Sequence, residues 1–289
     1  MSEEIRLEYH RRPSAARFMA GVFRPSPGLD GQGSLPDIQL RWRGHHAAGG
    51  DLRDYLALSG LPAGEDLCVL YPQTMAFPLH MALLTHPRFP VPIWRLLQVR
   101  NRLRRHRALP RGAHYDLTVR LAGLRPLEKG VEFDLAGTAE AGGMVVWESL
   151  NTFYMRGRPL AGRMPEQAPE SPRIEATRSE SWRVPVDGGW RYGRISGDYN
   201  PLHWSGAYAR RHGFGRAFLH PQRVLGHCLA RLGARGATEL EAWIKGPVFY
   251  GAEVEMRSGA DAEGIRFALH VEGDARPAFV GRVGHAAGG

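Results

Sequence analysis

The sequence predicts an α+β fold of two like units, each a long antiparallel sheet wrapped around one buried helix. Three observations predict it. Each half carries one apolar segment of helical period followed by several short runs of alternating pattern. A stretch rich in Pro, Gly, Ser and charge divides the chain near its middle. A short residue pattern also occurs once ahead of each helical segment.

In the first half the helical segment is "FPLHMALLTH", residues 77 to 86. The runs "IWRLLQVRNRL", "HYDLTVRLAGL", "GVEFDLAGTAEA" and "MVVWESLNTFYM" follow, short, β-rich and separated by breakers, as successive antiparallel strands are. The divider, "GRPLAGRMPEQAPESPRIEATRSES", has no apolar period and reads as a linker over residues 157–181. It separates an N-terminal unit, 1–156, from a C-terminal unit, 182–289. There the helix is "PQRVLGHCLARLG", with Val224, Leu225, Cys228, Leu229 and Leu232 on one face and Gly233 as its stop. The strands "TELEAWIKGPVFYG", "AEVEMRSGA", "GIRFALHVEG" and "PAFVGRVGH" complete the second set.

The repeat is visible in the residues. Setting "DYLALSGLPAGED" against "RYGRISGDYNPLH" places Tyr55, Leu58, Ser59 and Gly60 opposite Tyr192, Ile195, Ser196 and Gly197. After the shared Ser-Gly the copies part, because Leu61, Ala63 and Asp66 stand where the second has Asp198, Asn200 and His203. Only the C-terminal copy keeps a polar triplet.

The length of 289 residues, 43% hydrophobic and 23% charged, fits two globular domains. Two cysteines, Cys68 and Cys228, are too few for a disulfide framework and lie in no cluster of zinc-ligand spacing, so neither a structural metal nor another cofactor is expected. No apolar run reaches the roughly 20 residues of a membrane span, and the N-terminus opens acidic without a signal-peptide core, which places the chain in the cytoplasm. The net charge of +9 is almost wholly arginine, Lys129 and Lys245 being the two lysines, and suits an anionic partner. No nucleic-acid motif accompanies it. In the densest run, "RNRLRRHR", a period of two puts Arg100, Arg102 and Arg104 together on one face, expected to meet solvent.

The chemistry is carried by "SGDYNPLH". A carboxylate and an imidazole on one stiff loop can share a water, as addition of water to a double bond or its removal requires. Asp198 and His203 supply the pair. Pro201 fixes its own φ and biases Asn200 toward extended geometry, while Asn200 can bond nearby backbone; Gly197 opens the loop. The plain alternative for Asp-x-Asn-Pro alone is an Asx turn capping the segment "SGAYARRHG", with His203 on the surface.

The string "SGDYNPLH" followed by "AYARRHGFGRAFLH" resembles the MaoC-like family of (R)-specific enoyl-thioester hydratases and dehydratases. The resemblance implies a double hot-dog fold with a degenerate N-terminal unit and a catalytic C-terminal one, paired inside one chain as a pseudo-dimer; a homodimer of whole chains stays open. It implies syn hydration of a trans-2-enoyl thioester to an (R)-3-hydroxyacyl thioester, or the reverse, with Asp198 and His203 as the catalytic pair and Asn200 ordering the loop. In the family a His-Gly pair opens the central helix and the Gly N–H helps to form an oxyanion hole. Here His220 matches the His, but Pro221 stands in place of the Gly and has no N–H, so Gln222 becomes the candidate donor at this helix N-terminus. Met75, Phe77 and Met81 are candidate walls of an acyl tunnel and equally plain core.

The expected partners are thioesters of coenzyme A or of an acyl carrier protein, both anionic, with no nucleic acid and no membrane. Two other functions compete. Pro221 and the missing first triplet favour a catalytically weak acyl-thioester binding protein, and a thioesterase on the same fold ranks last because the motif is that of the hydratases.

Overall fold

The computed structural model describes residues 4–29, 34–157, 160 and 162–284. The N-terminal half begins with β1 (Glu4–Tyr9), α1 (Ala15–Gly21), β2 (Asp37–His46), α2 (Gly49–Ser59) and α3 (Tyr71–Leu84). A 3₁₀ turn at Ile93–Arg95 then leads into β3 (Leu96–Arg105), β4 (His114–Leu127), β5 (Gly130–Ala141) and β6 (Met144–Arg156). The C-terminal half has β7 (Arg178–Arg183), α4 (Gly189–Ser196), a 3₁₀ turn at Pro201–His203, α5 (Gly206–Arg211) and α6 (Pro221–Arg231). It ends with β8 (Glu239–Ile244), β9 (Glu253–Asp261), β10 (Gly264–Val271) and β11 (Phe279–Gly284).

All eleven described strands join one sheet in the order β1-β2-β4-β5-β6-β3-β8-β11-β10-β9-β7. The halves meet where β3 pairs antiparallel with β8, Asn101 opposite Ala242 and Leu103 opposite Leu240. Pairing at this seam removes the free edge that each half-sheet would otherwise present. Each half lays one apolar helix against its sheet, and both helices contribute to one continuous core that includes Met75, Leu79 and Leu83 of α3 and Val224, Leu225, Cys228 and Leu229 of α6.

Several expectations change. The β1–β2 pair is parallel, so the sheet is not wholly antiparallel. The first helix starts at Tyr71, not Phe77, with Pro72 in its first turn, where proline is tolerated, and Pro78 in its interior, where it is disfavoured. β7 begins at Arg178, inside the stretch read as linker over 157–181, of which residues 158, 159 and 161 lie outside the described residues. That stretch is also pinned to the sheet: Trp243 Nε1 donates to the Pro169 carbonyl (2.9 Å) and Lys245 to Ser171 (2.6 Å).

The arginine face of β3 is not uniformly solvated, although Arg100, Arg102 and Arg104 stay in regular register with β6 and β8. Arg100 is buried, donates to Thr152 Oγ1 (3.1 Å) and faces Glu132 at 3.5 Å, while Arg102 and Arg104 stay exposed.

The repeat takes physical form in α2 and α4. Both end on a left-handed glycine, Gly60 (φ 68°) and Gly197 (φ 82°). This conformation is cheap for glycine and terminates a helix cleanly. The two ends cross over: Gly60 abuts His227 of α6, and Gly197 abuts Pro78 of α3. Tyr55 and Tyr192 are both fully buried, with ring centroids 6.4 Å apart.

Candidate active site

Asp198 and His203 converge. The loop leaves α4 at Gly197, and its polar side chains tie it down locally. Asp198 N–H donates to Ser196 Oγ (3.2 Å), Asn200 N–H to Asp198 Oδ1 (3.1 Å), and Leu202 N–H to Asn200 Oδ1 (3.1 Å). Asn200 thus makes an Asx turn that starts the 3₁₀ segment, whereas α5 is capped by Ser205, whose Oγ accepts from Tyr208 N–H. His203 is not on the surface; it is 6% exposed and Asp198 9%.

The imidazole is held from both sides. Its Nδ1 lies 3.0 Å from the Phe218 carbonyl, so Nδ1 carries the proton and Nε2 presents a lone pair toward Asp198 Oδ2, 3.7 Å away. That gap exceeds a direct hydrogen bond and matches two groups bridged by one water. Tyr250 donates its hydroxyl to the His203 carbonyl (3.0 Å). Burial pushes the Asp198 carboxyl above its ordinary value, opposed by the neighbouring His203 and the Asn200 N–H.

His220, the N-cap of α6, stacks on His203 with centroids 4.1 Å apart and donates from Nε2 to the Asp198 carbonyl (3.0 Å). Burial holds it well below the usual histidine range, so it is neutral with one N–H. That N–H is committed to the loop, which removes the imidazole as an oxyanion donor and makes it the clamp on Asp198. Pro221 is the first residue of α6. Gln222 is 4% exposed, and neither its side-chain oxygen nor its nitrogen has a hydrogen-bond partner. A buried amide without partners is costly unless something else meets it.

Asp198, His203 and His220 are also ligand-type groups with atoms within 4.8 Å of one another. They cradle an ion poorly. The two ring planes are inclined by only 28°, so their in-plane lone pairs meet far beyond a bond of about 2 Å.

The tunnel candidates divide. Met75 belongs to the main core, whereas Phe77 and Met81 form a separate small cluster with Phe18 of α1. Neither the cavity lined by Gly21, Thr85 and Ile93 nor the one lined by Trp182, Leu219 and His227 touches Asp198, His203 or His220.

Two contributors were missed in the sequence. Arg12 reaches across 182 positions to donate to the Arg194 (2.7 Å) and Ile195 (2.5 Å) carbonyls, capping the helix that delivers Asp198; no local pattern announces such a contact. Tyr71-Pro72-Gln73 opens α3 as His220-Pro221-Gln222 opens α6, a second repeat that was there to be read. Pro221 is therefore a feature common to both helix starts.

No family model matches the chain. A curated relative, 3-hydroxyacyl-thioester dehydratase X of Mycobacterium tuberculosis, is 26% identical over 181 residues, 63% of this chain and 65% of that protein, so less than two thirds of its length is matched. A crystal structure of HtdX from Mycobacterium tuberculosis has a TM-score of 0.71 at 21% identity, covering 85% of this chain and 98% of that one. A MaoC-like dehydratase from Phytophthora capsici reaches 0.71 at 16% identity, covering 89% and 98%. A Mycobacterium tuberculosis protein described as a double hotdog fold reaches 0.51 at 16% identity, covering 83% and 86%. The architecture of this chain is the double hot-dog fold of the MaoC-like dehydratases, and its sequence is similar to that of a 3-hydroxyacyl-thioester dehydratase.

Proposed function

We propose that the protein is a hydro-lyase that adds water to trans-2-enoyl thioesters to give (R)-3-hydroxyacyl thioesters, or runs the reverse dehydration. The observation that carries this reading is the buried pair Asp198 Oδ2 and His203 Nε2, 3.7 Å apart, with the imidazole tautomer set by the Phe218 carbonyl. In the hydration direction the free Nε2 removes a proton from the water that bonds to the β-carbon. Asp198, biased toward its protonated form, gives a proton to the α-carbon on the same face, and the proton taken up by His203 returns to Asp198 across the gap. Negative charge on the thioester oxygen develops near the N-terminus of α6, where Gln222 supplies a backbone N–H and an unbonded side-chain amide. Because the pair is covered, the thioester gains access only as side chains around the loop yield.

The test is the loss of enoyl-thioester absorbance with crotonyl-CoA and with a longer 2-enoyl-CoA. Asp198→Asn and His203→Ala each lower kcat by about 10²-fold or more, and the product is the (R)-3-hydroxyacyl thioester. Turnover that survives both substitutions ends the assignment. The second reading, a thioester-binding protein of little activity, is favoured by the missing N–H of Pro221 and predicts binding without absorbance loss.

A further inference from the structure

The surface beside the catalytic loop combines two features. First, it exposes a cluster of aromatic rings. Trp190 is 55% exposed, Trp204 42% and Tyr208 38%. Trp190 lies with its centroid 5.1 Å from the Tyr199 ring and 5.2 Å from that of Trp204, and Trp204 Nε1 donates to the Tyr199 carbonyl (3.1 Å). Large rings held rigid and left half in water are what protein interfaces use as anchors.

Second, the surface is basic. From residue 188 to 238 the only acid is Asp198, which is buried in the site, while the segment carries eight arginines, of which Arg223 is buried and Arg216 and Arg231 pair with Glu272 and Glu180. Arg210 and Arg211 on α5 are exposed and make no ion pair among the described residues. Arg191 and Arg194 share one carboxylate, Asp54, at 3.3 and 3.0 Å, so that pair also keeps a net positive charge. Tyr199 and Trp204 directly flank the segment from Asn200 to His203, and α5 follows it, so whatever covers this surface lies over the catalytic loop.

We infer that this surface is the docking site of an acidic protein that carries the acyl thioester on a flexible arm; the inference rests on the function proposed above. Tyr, Trp and Arg form the core of protein interfaces, and complementary charge speeds the encounter. A nucleotide fits less well, because small-molecule sites are concave and enclose most of their ligand. Here the rings of Trp190, Trp204 and Tyr208 stand partly exposed on the surface.

The experiment compares the same enoyl group on acyl carrier protein and on coenzyme A, with wild type, the charge reversal Arg210→Glu/Arg211→Glu, and Trp190→Ala. For the carrier-borne substrate, kcat/KM falls about tenfold or more in the reversal variant and several-fold in Trp190→Ala, while kcat at saturation holds. Turnover of the coenzyme A thioester stays within about twofold, and the salt dependence of the carrier reaction flattens. An equal fall for both substrates, or a change in neither, overturns the docking site; a fall for coenzyme A alone assigns the surface to the nucleotide instead. Should wild type turn over neither substrate, the hydratase reading fails by itself. Titration of acyl carrier protein, followed by tryptophan fluorescence, then decides docking: binding lost on charge reversal supports it, and absence of binding to wild type removes it.

Discussion

A carboxylate that is 9% exposed and faces only one imidazole is expensive to keep ionised. Near its ordinary value of 3.8 and below, Asp198 is neutral in both folded and unfolded chains; as pH rises through its raised folded value, the unfolded chain releases the proton more readily and the folded state loses stability. Asp198→Asn is therefore more stable at neutral pH, by on the order of 1 kcal/mol, with the gain shrinking as the pH falls toward 4. Thermal midpoints of both proteins across that range check this, and a variant less stable at pH 7 contradicts it. Gln222 is argued differently, because its amide is buried and unbonded in the resting site. If it meets the thioester oxygen, Gln222→Ala lowers kcat by about 10²-fold at unchanged thermal midpoint; equal turnover leaves the backbone N–H as the donor. The motif Asp198-x-Asn200-Pro201-x-His203 was legible because turn chemistry and reacting groups are neighbours in the chain. Arg12 was not, because its partners lie 182 and 183 positions away.

Helix α4 and its loop work as a unit. A side chain at Gly189 would overlap the His203 carbonyl oxygen and crowd the Tyr250 hydroxyl (2.6 Å), and one at Gly193 would press on the Asp198 carbonyl (2.7 Å). These two positions let the helix pass close enough to brace both Asp198 and His203. Gly189→Ala accordingly displaces the His203 backbone, costing about 1–3 kcal/mol of stability and at least tenfold in kcat. Urea unfolding and turnover together read the effect, and a variant that folds and turns over like wild type shows that the close approach is unneeded. The strands after each helix were legible from their alternation, whereas β1, β2 and β7 were not. The burial of Arg100 also escaped the sequence, since its partners Thr152 and Glu132 come from other strands.

The whole molecule stores neutral histidines. Burial lowers His45, His80 and His227 each to about 4, and His220 well below its ordinary range. Because these folded values are depressed, the unfolded chain binds protons first: stability that is complete above pH 6.5 is lost as pH falls toward 4. The fully buried His80, whose Nε2 meets Asn151 at 3.1 Å, accounts for roughly 3 kcal/mol of this loss. One of these groups, His80, lies on α3 and two, His220 and His227, on α6 or its cap, so acid unfolds both halves together instead of one before the other. His45 lies at the end of β2, whose strand is in the same sheet. We expect a single cooperative transition whose urea midpoint drops steeply between pH 6.5 and 4.5; a flat profile, or two separate transitions, contradicts it.

The sequence by itself determined the α+β class, the duplicated layout, the terminating glycines 60 and 197 and the placing of Asp198 and His203 on one loop, because each depends on residues close enough along the chain to set one another's conformation. The β3–β8 seam, the clamp of His220 on the Asp198 carbonyl, the reach of Arg12 and the exposed rings beside the loop were decided only in three dimensions. Each brings together groups whose separation along the chain carries no periodic signal, and the energy that fixes them comes from burial and pairing in the folded core.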